Sequence, residues 1–156
     1  MLASPLMAVW TAYRDGREDA MNNTPFVLLP EQIGEFWTEE RCHITELIND
    51  PKMPAFSLAI ARVEPAVTTQ LHALQGISET YILKQGKGVA EVDGKNIPLS
   101  KGSSLFIPEG AAQRITNTGD EDLEFYCHCT PRFIPESYIN LETVTNINRP
   151  SAPSGR

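Results

Sequence analysis

The feature that most constrains the fold is a regular series of short β-rich segments between residues 41 and 130. β-Branched and aromatic residues fill each segment, and Gly, Pro, Asn or Asp residues bound it. The predicted strands are 26–29, 41–48, 55–63, 68–74, 79–85, 88–92, 96–99, 104–107, 113–116 and 123–129. Asp93-Gly94 is a strong two-residue hairpin signal. Evenly spaced short strands predict an all-β antiparallel sandwich or barrel, with short helical turns over 30–40 and 135–142 at its ends.

Two spaced patterns of residues lie within this series. The first comprises Ala66, His72, Leu74, Glu79 and Gly86, and the second comprises Gly102, Pro108, Gly110, Gln113 and Asn117. Because side chains alternate between the two faces of a strand, Gln70, His72 and Leu74 should share a face, as should Glu79 and Tyr81. If the two strands are antiparallel neighbours, His72 and Glu79 meet inside the barrel. Pro108 and Gly110 should turn the chain so that Gln113 also points inward.

This double pattern resembles the paired motif of the cupin superfamily. In that family, two His and one Glu in the first half and a third His in the second half hold a metal inside a small barrel. His72 and Glu79 match the pattern, whereas Leu74 and Gln113 replace the other two histidines. The resemblance implies a double-stranded β-helix, or jelly roll, and it extends over roughly residues 41–130.

The resemblance and the inward faces together suggest a site. A neutral imidazole, a carboxylate and an amide oxygen, from His72, Glu79 and Gln113, would hold a divalent metal such as Zn, Fe, Ni or Mn. Glu79 could also act as the catalytic general base. The expected substrate-contacting residues are Gln70, Tyr81 and Cys127. These residues also have structural interpretations. His72 could be a hydrogen-bonded core histidine, Glu79 a solvated rim carboxylate, and Gln113 a hydrogen-bond donor to ligand or backbone. Tyr81 and Cys127 could simply pack in the core.

Composition limits the remaining choices. The net charge of −7 disfavours nucleic acid, since an acidic chain gains nothing from phosphate contacts. No apolar run is long enough to span a membrane. The start of the chain lacks the basic region of an export signal, so the three cysteines are expected to be free thiols in the cytoplasm.

We expect three parts of the chain: a flexible arm over 1–25, a barrel domain over 26–142 and a disordered tail over 143–156. The resemblance also implies a homodimer that pairs or exchanges its N-terminal strands.

The functional hypotheses fall into three classes. The first is a metal-binding barrel that binds or acts on a sugar, sugar phosphate or organic acid, with isomerase, lyase and dioxygenase chemistry all compatible. The second is a metal-free small-molecule-binding module. The third is a structural or regulatory dimer whose metal site has degenerated. The retained His72–Glu79 pair favours the first, and the missing histidines favour the other two.

Overall fold

A computed structural model describes residues 25–142, which form two antiparallel sheets packed as a jelly roll. The all-β barrel predicted from the sequence is confirmed. The strands are β1 (Glu35–Trp37), β2 (His43–Ile48), β3 (Ser57–Val63), β4 (His72–Leu74), β5 (Ser78–Gln85), β6 (Lys87–Val92), β7 (Lys95–Ser100), β8 (Ser104–Ile107), β9 (Gln113–Asn117), β10 (Leu123–Thr130) and β11 (Tyr138–Asn140).

One sheet has six strands in the order β1-β2-β3-β10-β5-β8, and the other has five in the order β11-β4-β9-β6-β7. Most of the arm and all of the tail expected at the two ends of the chain lie outside the described residues. Within residues 25–142, no helix is long and apolar enough to cross a membrane.

Turn chemistry explains several connections. Asp93 and Gly94 join β6 to β7 with φ of 47° and 77°, the pair of positive values that a type I′ hairpin requires. Ala66, the first residue of the first pattern, also has a positive φ, of 64°. Gly86 has φ of 79°, and a Cβ there would lie 2.9 Å from the carbonyl oxygen of Asp122. These positions therefore hold the backbone conformations that the motif requires.

One local prediction was wrong, and the two predicted helical turns are shorter than expected. Residues 26–29 form no strand, because no neighbouring strand pairs with them. The segment 30–40 contains a 3-10 turn, Pro30–Gln32, but then continues into β1. The segment 135–142 begins with the 3-10 turn Pro135–Ser137 and then forms β11, which pairs with β4. Pairing with an available sheet edge outweighed the local helical signal.

The expected proximity of His72 and Glu79 arises in a different way from the one predicted. β4 and β5 are not neighbours, because β4 belongs to the five-stranded sheet and β5 to the six-stranded sheet. The connection between them includes Gly76, whose φ of 73° lets the chain turn from one sheet to the other. His72 and Glu79 therefore lie on opposite walls of the barrel.

Part of the barrel interior is filled by hydrocarbon side chains, which we call the packed core. It comprises Val63, Leu83, Ala90, Leu99 and Leu123, each no more than 7% exposed. Gly88 brings β6 close to β9, since a Cβ at this position would lie 2.6 Å from the carbonyl oxygen of Thr116. The remaining interior is not filled, and the site lies there.

Candidate functional site

A cavity of about 100 Å³ lies between the two sheets, next to the packed core. Its walls combine carboxyl, imidazole, thiol and phenol groups with apolar side chains. The titratable side chains in its lining are Glu40, Glu46, Glu79, His72, Cys42, Cys127, Cys129, Tyr81 and Tyr138. Among residues 25–142, no lysine or arginine lines it.

His72 is held in one orientation by two neighbours. Its Nδ1 lies 2.8 Å from the backbone carbonyl oxygen of Gln70, and its ring stacks on Tyr138 with centroids 4.7 Å apart. Because a carbonyl oxygen only accepts, Nδ1 carries the hydrogen, and Nε2 of the neutral ring is the acceptor nitrogen. The Tyr138 hydroxyl donates to Oε1 of Gln70 at 2.8 Å. Gln70, expected to contact substrate, instead orients His72 and Tyr138 and does not line the cavity.

Glu79 projects from β5 and is only 7% exposed. Nε2 of Gln113 donates to its Oε2 at 3.0 Å, and the Cys129 thiol donates to its Oε1 at 3.7 Å. Burial raises the pKa of Glu79, while the nearby imidazole of His72 opposes this shift and the carboxyl of Glu40 adds to it. The burial effect wins, so this carboxyl holds its proton to a higher pH than an exposed glutamate.

Gln113 projects from β9, in the sheet opposite Glu79, and does not line the cavity. It is 2% exposed, and its Cα pairs with that of His72 in the β4–β9 register. Its amide nitrogen donates to Oε2 of Glu79. Its Oε1 is buried and has no hydrogen-bond partner among the described residues. The amide oxygen expected to bind a metal is therefore turned away from Glu79.

Sequence reasoning missed Glu40 and Glu46. Glu40 precedes β2, and its backbone carbonyl accepts a hydrogen bond from the Gln70 amide at 2.9 Å, which ties this segment to the approach to β4. Burial raises the pKa of the Glu40 carboxyl, and His72 opposes the shift. The segment Glu39-Glu40 has no local signal that distinguishes an inward side chain from a surface turn.

Glu46 lies on β2, on the same face as Ile44, and Nδ2 of Asn49 lies 3.3 Å from its Oε2. Burial raises the pKa of Glu46 as well, and this hydrogen bond and the charge of Arg132 oppose the shift. Strand alternation from Ile44 could have identified this residue as inward-facing.

The expected positions of Tyr81 and Cys127 agree with the structure, since both line the cavity. Tyr81 packs on Phe125 with ring centroids 4.5 Å apart. Burial raises the pKa of Cys42 to about 12, and it also raises the pKa values of Cys127 and Cys129. The three thiols are therefore protonated near neutral pH and act as weak hydrogen-bond donors rather than as nucleophiles.

The donors present are a poor fit to a divalent metal. Leu74, 3% exposed, occupies the position of one family histidine and offers only hydrocarbon. Both Glu79 oxygens already accept hydrogen bonds, and Gln113 directs its nitrogen at them. Within the described part of the chain, no group of three or more His, Cys, Asp or Glu side chains is arranged to hold a metal ion. The metal predicted at His72, Glu79 and Gln113 stays a prediction without geometric support.

Comparison with known proteins identifies relatives of this barrel. Residues 59–129 match the family model described as the cupin domain. The oxalate-binding protein of Thermotoga maritima is 36% identical over 64 residues, which span 41% of this chain and about half, 53%, of that relative.

Solved structures show the same architecture. A predicted oxalate decarboxylase from Thermotoga maritima superposes with a TM-score of 0.61 at 26% identity, covering 68% of this chain and 99% of that one. A Streptomyces nucleoside dehydratase, solved with uridine, gives a TM-score of 0.65 at 16% identity, covering 76% of this chain and 92% of that one. The second likeness shows the fold alone.

Proposed function

Because this chain is a member of the cupin superfamily, we propose that its barrel cavity binds a small, oxygen-rich molecule directly through protein side chains. The observation that carries the proposal is the convergence of His72 and Glu79, from opposite sheets, on one cavity. His72 is oriented by the hydrogen bond that it donates to the Gln70 carbonyl, and Glu79 by the one that it accepts from Gln113. Polar groups held in place in a concave apolar site are typical of ligand recognition.

The relatives support a small ligand. One is named for oxalate binding, and another was solved with uridine. Both ligands are oxygen-rich and small enough for the interior of a barrel.

Acid–base catalysis on the bound molecule is a second candidate, and one observation favours it. Burial lets the Glu79 carboxyl keep its proton to a higher pH than usual, and Nε2 of His72, on the opposite wall, is the ring nitrogen that does not bond to Gln70. An acid and a base that face one cavity suit proton transfer in an isomerase or lyase reaction. Glu79 is then the catalytic acid, with Tyr81 and Cys127 beside the ligand.

A ligand screen tests direct binding against metal-dependent binding. Sugars, amino sugars, nucleosides and organic acids are added to the purified protein in EDTA, and binding is measured by thermal shift and calorimetry. We expect at least one compound to bind in EDTA and to bind at least tenfold more weakly to His72→Gln. His43→Gln is the matched control, because His43 lies outside the cavity beside Glu64.

Binding that requires added Zn, Fe, Ni or Mn, together with stoichiometric metal lost in the His72 variant, would support the metal-dependent hypothesis instead. Failure of every compound to bind under either condition would leave the structural or regulatory dimer as the remaining hypothesis. The homodimer and the cytoplasmic location both stay predictions.

A further inference from the structure

Acidic side chains outnumber basic ones in the lining of the cavity. Three carboxyl groups line it, from Glu40, Glu46 and Glu79, and they come from the segment before β2, from β2 and from β5. The imidazole of His72 is the one basic side chain in the lining formed by residues 25–142. Even when His72 is protonated, three acidic groups face one cation.

The guanidinium groups of Arg41 and Arg132 bond to residues outside the cavity lining. Arg41 forms two hydrogen bonds to Glu142, at 2.7 and 3.1 Å, and a third to the backbone of Thr68. Arg132 donates to Oδ1 of Asn49 at 3.0 Å and does not line the cavity. The charge of Arg132 acts on Glu46 from outside the cavity wall, and neither arginine lines the cavity.

Glu40 shows the imbalance most directly. Within the described residues, no hydrogen-bond donor contacts its carboxyl group, and the one favourable electrostatic partner is His72. Among the described residues, the carboxyl groups of Glu46 and Glu79 accept hydrogen bonds only from neutral amide or thiol groups. A carboxylate removed from water is costly unless a cation or several donors compensate it.

The apolar part of the wall would also suit a cation. Aromatic rings from both sheets and from the segment after β10 line the cavity, at Phe36, Tyr81, Phe125, Phe133 and Tyr138. A positive charge near the face of an aromatic ring is attracted by its quadrupole. Rings and carboxyl groups around one space form an environment that stabilises an ammonium group and repels an anion.

Building on the proposed function, we propose that the ligand of this cavity is a small hydroxylated molecule bearing an ammonium group, which supplies the missing counter-charge to Glu40, Glu46 and Glu79. An anion such as oxalate would instead add negative charge to a space bounded by three carboxyl groups. This separates the chain from the relative that is named for oxalate binding.

Three pyranoses of similar size test the sign of the charge. Glucosamine, glucose and glucuronate differ by carrying an ammonium group, no charge or a carboxylate, and their affinities are measured by calorimetry near neutral pH in EDTA. We expect glucosamine to bind at least tenfold more tightly than glucose, and glucuronate at least tenfold more weakly than glucose. His72→Gln identifies the site, because cavity binding should weaken for each probe that binds.

Isosteric variants of the acids locate the effect. Glu40→Gln and Glu46→Gln should each lower the affinity for glucosamine about tenfold and leave glucose almost unchanged. Glu39→Gln removes an exposed carboxylate from the adjacent position and should change neither affinity. Two acid variants are used so that poor folding of one does not end the test.

The outcomes distinguish this inference from the function on which it rests. If glucose or glucuronate binds the cavity as tightly as glucosamine, or if both acid variants keep the full preference for glucosamine, the ammonium assignment is overturned and small-molecule binding stands. If no pyranose binds, the ammonium assignment is overturned, and the wider ligand screen described above decides whether the cavity binds another small molecule. If binding is unaffected by His72→Gln, both proposals fail for this cavity.

Discussion

The packed core and the cavity are built on the same strands, yet they carry opposite kinds of side chain. Along the inward face of β5, the order is Glu79, Tyr81 and Leu83, so one strand passes from acid to phenol to hydrocarbon. Along β10, Leu123 belongs to the core and Cys129 to the cavity. The difference teaches that inward orientation alone does not define a site, because the same periodicity serves packing in one half and polar chemistry in the other.

The largest expected change in the free energy of unfolding comes from truncating a side chain of the packed core. Leu123 is fully buried, so Leu123→Ala should lower the free energy of unfolding by about 3 kcal/mol through lost burial and the void left behind. Urea denaturation measures this change. Ile82→Ala is the control, since Ile82 is 42% exposed and its truncation should cost less than about 1 kcal/mol. Equal losses for the two variants would show that the core does not carry the stability assigned to it.

A smaller effect of opposite sign is expected in the cavity wall. Glu79→Gln should raise the free energy of unfolding by about 1 kcal/mol near neutral pH, because a buried acid is replaced by a neutral group of similar shape. The amide oxygen can still accept the hydrogen bond from Gln113.

The sign of the pH dependence follows from the raised pKa of Glu79. The folded state holds this proton more tightly than the unfolded state, so stability is full below the ordinary pKa of 4.5 and declines as pH rises through the folded pKa. The advantage of Glu79→Gln should therefore grow from about pH 4 upward. Denaturation at several pH values measures it, and an advantage that shrinks as pH rises would contradict the assignment.

The smallest change in stability is expected from removing the Tyr138 hydroxyl, which bonds to Gln70 beside the cavity wall. Tyr138→Phe removes the hydrogen bond to Gln70 but keeps the ring that stacks on His72. The expected loss is about 1 kcal/mol or less, seen as a small decrease in Tm. Tyr138→Ala also removes the stacked ring and should have a clearly larger effect. If the two variants are equally unstable, the ring contact does not support the cavity wall.

Much of the architecture was predictable because its signals are local. Turn residues delimit most strands, Asp93-Gly94 specifies its hairpin, and alternation places Glu79 and Tyr81 on the same face. Other predictions failed where a tertiary neighbour decides. Residues 135–142 look helical in isolation, but an open edge beside β4 draws part of them into β11.

The site was predictable only in part. His72, Glu79 and Gln113 stand at motif positions. The structure pairs Gln113 with His72 in the β4–β9 register and bonds it to Glu79, and His72 and Glu79 line the cavity. Glu40 has no such position, and its place in the wall depends on contacts with a segment about thirty residues further along the chain.

The sequence by itself determined the strands, their turns and their inward faces, because backbone conformation and side-chain alternation depend on neighbouring residues. Only the tertiary structure decided that β4 and β5 belong to different sheets and that Gln113 bonds to Glu79 from the opposite sheet. It also decided that three glutamates share a cavity without a lining arginine or lysine among the described residues. These relations arise from the packing of one sheet on another, which joins residues far apart along the chain and leaves no local pattern by which they could be recognised.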